Sequence, residues 1–274
     1  MQPIGIFDSG YGGLTVFRSI ADQLPQYDYL YLGDNARAPY GNRSFETVYE
    51  YTLQCVEWFF EQGCPLVILA CNTASAKALR NIQQIDLPRI DSEKRVLGVI
   101  RPTAEVVGQY THTKKVGVLG TRGTVNSGSY LKEISNFYPD IEVFQHACPL
   151  WVPFIENGDY QDEGIDYYIR HDLELLFAQS DDIDTVLLAC THYPLLADKI
   201  RKFLPDKDIT LLGQGNLVAE SLTAYLQRHP EMETRVSKGG TKRFFTTDSV
   251  ADFEENATRF FGEAVRASHV HLEL

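Results

Sequence analysis

The sequence predicts an α/β protein made of two similar halves, each built on a mainly parallel sheet. Two observations carry this. Short apolar runs alternate with stretches at helical spacing along most of the 274 residues. One pattern also occurs twice: Val67-Ile68-Leu69-Ala70-Cys71-Asn72-Thr73 is echoed by Val186-Leu187-Leu188-Ala189-Cys190-Thr191-His192. Runs of this kind, apolar throughout and bounded by polar residues, form parallel strands buried on both faces. Each places its cysteine at a strand's carboxyl end, where open α/β sheets bind ligands.

The elements follow in order. Ile4-Gly5-Ile6-Phe7-Asp8 reads as a first strand, and Ser9-Gly10-Tyr11-Gly12-Gly13 as a glycine-rich turn. Leu14, Phe17, Ile20, Ala21 and Leu24 then recur at helical spacing. Residues 29–33 predict a second strand that runs into the loop Asp34-Asn35-Ala36-Arg37-Ala38-Pro39-Tyr40-Gly41. A helix covers roughly 44–62, with Ser44 placed to cap it and Gly63 to end it. Thr47 stands where a capping box would carry an acid. The 67–70 strand and a helix through Ala74, Ala78 and Ile82 come next.

The pattern restarts at Val116-Gly117-Val118-Leu119-Gly120-Thr121, which matches Ile4 to Ser9 in layout. The offsets from Gly5 to Gly117 and from Cys71 to Cys190 differ by only a few residues, as loop insertions within one duplicated unit would produce. Past residue 212, residues 216–227 predict a helix and 243–247 a short strand. A last helix is expected to begin at Asp248 and to bury Val250, Phe253, Ala257, Phe260 and Val265. This tail is expected to pack back on the first half. Lys238-Gly239-Gly240 is the expected exposed turn.

Composition narrows the function. The net charge is −12, which argues against a nucleic-acid partner, because nonspecific affinity for phosphate backbones comes from clustered Lys and Arg. A small anionic substrate stays open, since a pocket's local field can oppose the global charge. No apolar stretch has the length of a membrane span, and the amino end lacks the basic start and apolar core of a signal peptide. A cytoplasmic location is therefore expected. Five cysteines, widely spaced, do not suggest a disulfide framework. Gly10-Tyr11-Gly12-Gly13 lacks the spacing of a nucleotide-binding fingerprint, and no Walker lysine follows.

Cys55, Cys64 and Cys148 read as buried, inert thiols. Cys71 and Cys190 differ, because each stands where a strand is expected to hand over to a helix, and a helix amino end favours a thiolate. Three chemistries stay open for the pair. They could form a redox couple, if close enough to bond. They could bind zinc together with His192 and Asp8, although the compact spacing of structural zinc sites is absent. They could also transfer protons, one thiolate removing a proton from carbon while the other sulfur delivers one to the opposite face.

Asp8 either caps the following helix or supplies a carboxylate that orients a substrate ammonium or holds a thiol. Pro39-Tyr40-Gly41 lies on the same rim, with backbone N–H groups able to bind a carboxylate. His192, beside Cys190, is read as an acid/base or substrate-binding group. Glu156 is balanced between an exposed helix-start residue and a supporting acid.

Asp8-Ser9-Gly10, the stretch from Gly33 to Gly41, Ala70-Cys71-Asn72-Thr73-Ala74-Ser75 and Cys190-Thr191-His192-Tyr193-Pro194-Leu195 together resemble the glutamate racemases, within the aspartate/glutamate racemase family. The resemblance runs through most of the chain. It implies a cofactor-independent and metal-free interconversion of L- and D-glutamate that supplies D-glutamate for peptidoglycan. It further implies two pseudo-symmetric three-layer α/β domains, residues 1–98 plus 212–274 and 99–211, with the active site in the cleft between them.

Under the resemblance, Cys71 and Cys190 match the two catalytic bases, and Cys71 acts on the D enantiomer. Asp8, Ser9, Tyr40, Gly41, Asn72, Thr73, Thr191 and His192 match the substrate contacts, with Asp8 and His192 also helping the thiols. Aspartate racemase is the nearest alternative. A non-catalytic amino-acid sensor and a thiol or zinc protein are the others. A homodimer is left open. Two stretches depart from the family pattern, Arg101-Pro102-Thr103 and Gly213-Gln214-Gly215, and neither is expected to touch the proton path.

Overall fold

The structure, a computed structural model, describes residues 2–272. Met1, Glu273 and Leu274, which the expected domain division includes, lie outside the described residues. The first strands are β1 (Ile4–Asp8), β2 (Tyr29–Gly33), β3 (Leu66–Leu69) and β4 (Arg95–Gly98). Then come β5 (Lys115–Gly120), β6 (Glu142–Ala147), β7 (Thr185–Ala189) and β8 (Thr210–Leu212). The chain ends with β9 (Lys242–Thr246) and β10 (Ala267–His269).

These strands form two sheets, ordered β10-β9-β2-β1-β3-β4 and β6-β5-β7-β8. All pairings in both are parallel. The order β2-β1-β3-β4 is repeated by β6-β5-β7-β8, so the repeat read from two cysteine strands is a repeat of topology. The chain leaves the first sheet after Gly98 and returns toward it after Leu212.

The central strands β1, β2, β3 and β7 are buried at every position, as unbroken apolar runs require. The matched glycines Gly5 and Gly117 have a shared physical reason. A Cβ on Gly5 would stand 2.7 Å from the Phe59 ring, and one on Gly117 would stand 2.8 Å from Leu176. Each glycine lets a covering helix lie close on the central strand of its sheet.

Helix α1 (Gly13–Gln23) buries Leu14, Val16, Phe17, Ile20 and Ala21. Helix α2 (Phe45–Glu61) is capped as expected, Ser44 Oγ accepting the Thr47 N–H at 3.1 Å, and Gly63 follows it at φ 83°. Helix α3 (Asn72–Lys77) is short. A single helix does not run through Ala78 and Ile82 as expected. The first helix ends at Ala78, where φ widens to −109°, a short turn at Leu79–Asn81 follows, and a π-turn takes over at Ile82–Asp86.

The tail packs back on the first half. β9 pairs with β2, and Phe17 of α1 meets Phe244 and Phe261 with ring centroids 5.7 and 5.1 Å apart. The last helix is Val250–Phe261, starting two residues later than expected because Ser249 caps it by accepting the Asp252 N–H. Phe253, Ala257 and Phe260 are buried in it. Val250 is only half-buried, and Val265 is buried beyond the helix end, which Gly262 sets at φ 89°. Lys238-Gly239-Gly240 is an exposed turn, with Gly240 at φ 67°.

Among the described residues no helix is long and apolar enough to cross a membrane.

Candidate active site

The carboxyl ends of β1, β3 and β7 meet at one cavity of about 60 Å³, room for a few water molecules. Both Cys71 and Cys190 line it, each only 6% exposed. The repeated topology explains why: Cys71 stands two residues past β3, and Cys190 one residue past β7, its counterpart.

The two sulfurs differ in their surroundings. Cys71 is the N-cap of α3, its Sγ accepting the Ala74 N–H at 3.4 Å, and Ser9 Oγ lies 3.5 Å away. Burial pushes the Cys71 thiol up to about 12. The negative charge of Asp8 adds to this, and the Ser9 and Ala74 hydrogen bonds oppose it. Cys190 departs from the expectation of a helix amino end. A turn follows it, then a 3₁₀ helix at Tyr193–Leu196.

A side chain takes the helix's place at Cys190. His192 Nδ1 lies 3.8 Å from the Cys190 sulfur, and its Nε2 lies 2.9 Å from Glu156 Oε1. Burial alone would lower His192, but its hydrogen bonds to Cys190 and Glu156 outweigh that and hold it up at about 10. His192 is therefore an imidazolium at neutral pH, and an imidazolium beside a sulfur stabilises negative charge on it. Glu156, balanced between two roles in the sequence, is the partner that orients and charges His192.

Ser9, Tyr40, Gly41, Asn72, Thr73, Thr191 and His192 all line the cavity. Asp8 does not. It is 1% exposed, with Oδ2 accepting the Gly10 N–H at 3.0 Å and Oδ1 without a partner among the described residues. Burial raises its carboxyl, and the charge on His192 opposes this. It is not a helix cap either, since Gly12 holds that position in α1. Tyr40 spends its hydroxyl on Asp34, so it offers the cavity mainly backbone, in the 3₁₀ turn Tyr40–Asn42. Gly41 approaches the second half closely: a Cβ there would stand 3.0 Å from Thr121 Cβ.

Thr121, Arg122 and Cys148 are among the lining residues that sequence reasoning missed. Thr121 caps the Arg122–Asn126 helix and bonds Thr73 Oγ1 at 2.9 Å, hydroxyl to hydroxyl across the two halves. Arg122 is the one Lys or Arg in the lining. Cys148, read as inert, also lines the cavity, though burial holds its thiol well above the usual range. The topology could have flagged Cys148: it follows β6, its N–H bonded to Gly120 O, as Asp34 follows β2 with its N–H bonded to Asp8 O.

The quartet Asp8, Cys71, Cys190 and His192, weighed as a zinc site, does not form a metal-spaced group. Among the described residues the cluster with that spacing is His146, Cys148 and Asp172, whose ligand atoms lie within 4.8 Å of one another.

The two family departures lie outside the cavity lining, and one of them bonds a lining residue. Gln214 donates to none of the cavity groups, but its Oε1 accepts from Asn72 Nδ2 at 2.6 Å, directly beside Cys71. Arg101, in the other departure, is exposed and pairs with Glu105 at 2.9 Å, away from the cavity.

Comparison with known proteins agrees with this geometry. The glutamate racemase of Streptococcus suis is 38% identical, covering 99% of each chain. The crystal structure of a Bacillus anthracis glutamate racemase superposes with a TM-score of 0.89, at 35% identity over 99% of this chain and 98% of that one. That of the Francisella tularensis enzyme, in complex with D-glutamate, has a TM-score of 0.88 at 31% identity, over 99% of this chain and 98% of that one. The Asp/Glu/Hydantoin racemase family matches residues 4–214, a span that holds both cysteine strands and every side chain of the cavity, and the chain belongs to that family.

Proposed function

We propose that this protein interconverts L- and D-glutamate without a cofactor, by two-base proton transfer at the α-carbon between Cys71 and Cys190. One observation carries the reading. Two buried cysteines stand at equivalent strand ends of a repeated fold and line the same small cavity. Mirror-image substrates call for a base on each face, and the repeat supplies one from each half. The halves act as two domains, residues 1–98 plus 212–274 and 99–211. Glutamate rather than aspartate is the substrate, in keeping with the relatives named above, and the setting is the cytoplasmic supply of D-glutamate for peptidoglycan.

In the D-to-L direction, the Cys71 thiolate takes the α-proton, leaving carbanion character on the substrate. The Cys190 thiol gives its proton to the opposite face. The sulfurs end in exchanged states, Cys71 protonated and Cys190 ionised, and solvent exchange resets them. In the free protein, burial and Asp8 keep Cys71 as a thiol. A bound α-ammonium brings opposite charge and makes its ionisation easier.

Ser9, Tyr40, Gly41, Asn72, Thr73, Thr191 and His192 surround the substrate. Asp8 acts from behind, through Cys71 and His192. Arg122 attracts the substrate, a dicarboxylate of net charge about −1, into a protein of net charge −12. The small cavity keeps water from the carbanion.

The test is incubation of the purified protein with L-glutamate in deuterated water, without added cofactor, following optical rotation and α-deuterium. Rotation should decay to zero as deuterium enters both enantiomers. Cys71→Ser and Cys190→Ser should each lower racemisation by about 10²–10⁴-fold, the worth of a positioned acid or base. Unchanged rotation in the wild-type protein would leave an amino-acid sensor as the reading. L-aspartate, run in parallel, should not racemise.

A further inference from the structure

Gln214 sits where the chain returns from the second sheet to the first, between β8 and the Gly215–Arg228 helix, and is 3% exposed. Its amide closes a ring of hydrogen bonds. Asn72 Nδ2 donates to Gln214 Oε1 at 2.6 Å, Gln214 Nε2 donates to the Tyr130 hydroxyl at 2.7 Å, and that hydroxyl donates to Asn72 Oδ1 at 2.6 Å. Gln214 Nε2 also approaches Thr103 Oγ1 at 3.1 Å and Val99 O at 3.3 Å.

The direction of the ring is fixed by chemistry. The Val99 carbonyl can only accept, and the Thr103 hydroxyl already donates to it at 3.1 Å. Both therefore require the NH₂ side of Gln214. Its oxygen then faces Asn72, which must present its own NH₂ there and its oxygen to Tyr130. The Tyr130 hydroxyl, receiving from Gln214, has its proton free for Asn72. Asn72 is left with one outward N–H and one lone pair, both in a single orientation. Asn72 is also the first residue of α3, the helix that Cys71 caps.

The ring spans both chain crossings. Val99 and Thr103 belong to the outward crossing after β4, Gln214 to the return after β8, and Tyr130 to the second half. Resting on the two-base reading above, we propose that Gln214 is a positioning residue for the Cys71 half of the reaction. It locks the amide of Asn72 and the first turn of α3, and so the line from the Cys71 sulfur to the substrate α-carbon, to the joint between the two halves. Buried amides this fully paired are stiff, because losing one bond leaves another group unpaired in a dry site.

The test reads each half-reaction separately. Cys71 removes the proton from D-glutamate, and Cys190 removes it from L-glutamate. Gln214→Leu keeps similar bulk without hydrogen bonds. It should lower kcat/KM about tenfold to hundredfold in both directions equally, since the equilibrium constant of a racemisation is one. The primary isotope effects should separate. With α-deuterated D-glutamate the effect should rise, because the slowed step is the one that breaks that bond. With α-deuterated L-glutamate it should fall, because bond cleavage at Cys190 becomes reversible ahead of a slower step.

Tyr130→Phe opens the same ring by one hydroxyl and should move both isotope effects the same way by less. It serves as the milder variant if Gln214→Leu does not fold, as judged by circular dichroism. Gln214→Glu should recover part of the activity at low pH, where a protonated carboxyl can donate its one O–H to Tyr130 and still accept from Asn72. Wild-type rates with isotope effects that stay put in folded Gln214→Leu or Tyr130→Phe would overturn the positioning role while leaving the racemase reading intact. A wild-type protein without racemase activity would instead refute the reading on which the role rests.

Discussion

Glu156→Gln tests whether His192 is held charged by the carboxylate behind it. The substitution is nearly isosteric and keeps an oxygen that can accept from His192 Nε2, now 2.9 Å from Glu156 Oε1. It removes the charge. A hydrogen bond to a charged group contributes about 1.5–3 kcal/mol, and a pKa unit is about 1.36 kcal/mol, so the loss is roughly one to two units. Starting from about 10, His192 should titrate near 8–9 in the variant. The sign follows from what is removed: a negative neighbour favours the imidazolium, so its loss lets the proton leave at lower pH.

The assay is NMR titration of the protein with isotope-labelled histidine, the His192 signal being assigned by its disappearance in His192→Asn. The alkaline limb of kcat/KM for L-glutamate, where Cys190 is the base, should shift down with it. A His192 that titrates at the same pH in Glu156→Gln and wild type would refute the argument. So would a shifted titration with an unmoved rate profile, which would mean the imidazolium is not used in turnover.

Two further perturbations probe how the site is packed. A methyl on Gly12 would overlap Thr191 Oγ1 and the His192 ring, and Gly12 has φ −57°, so no backbone strain accompanies it. Gly12→Ala should therefore push His192 from Cys190 and lower kcat/KM about a hundredfold with circular dichroism unchanged; near-normal activity would show that the ring yields freely. Thr121→Ala removes a helix cap on Thr124 N–H at 3.2 Å and the bond to Thr73. Each contributes about 1 kcal/mol, which predicts a Tm drop of several degrees in thermal denaturation, and an unaltered Tm would contradict both contributions.

The fold was legible because it rests on local patterns. β3 and β7 are apolar runs of the kind that only a doubly covered parallel strand accommodates, and Gly5 and Gly117 mark the same close helix contact in each sheet. The cysteine neighbours were legible for the same reason, since Cys71, Asn72 and Thr73 come as one strand end, and so do Cys190, Thr191 and His192. What could not be read was set by contacts distant in sequence. Glu156 gains its meaning only from His192, 36 residues away, and Gln214 from Asn72, 142 residues away. Cys148 looked inert because its own segment gives no sign of the cavity that the second sheet's edge brings beside it.

The repeat also explains why the site is not symmetric. Topology matches β1 with β5 and so Asp8 with Gly120; on the second side there is no acid at that position. The second side instead takes its charge from Glu156 through His192, while the first has a helix cap and a serine at Cys71. Burial and the Asp8 charge raise the Cys71 thiol, whereas Cys190 has the His192 ring 3.8 Å from its sulfur. The substrate therefore meets different electrostatics on its two faces, a thiol backed by a carboxylate at Cys71 and a sulfur backed by a histidine ring at Cys190. D-glutamate must first shift a proton from Cys71. Because the two enantiomers have equal free energy, this bias cannot change the ratio of kcat/KM between directions. It must appear as unequal kcat and KM that compensate.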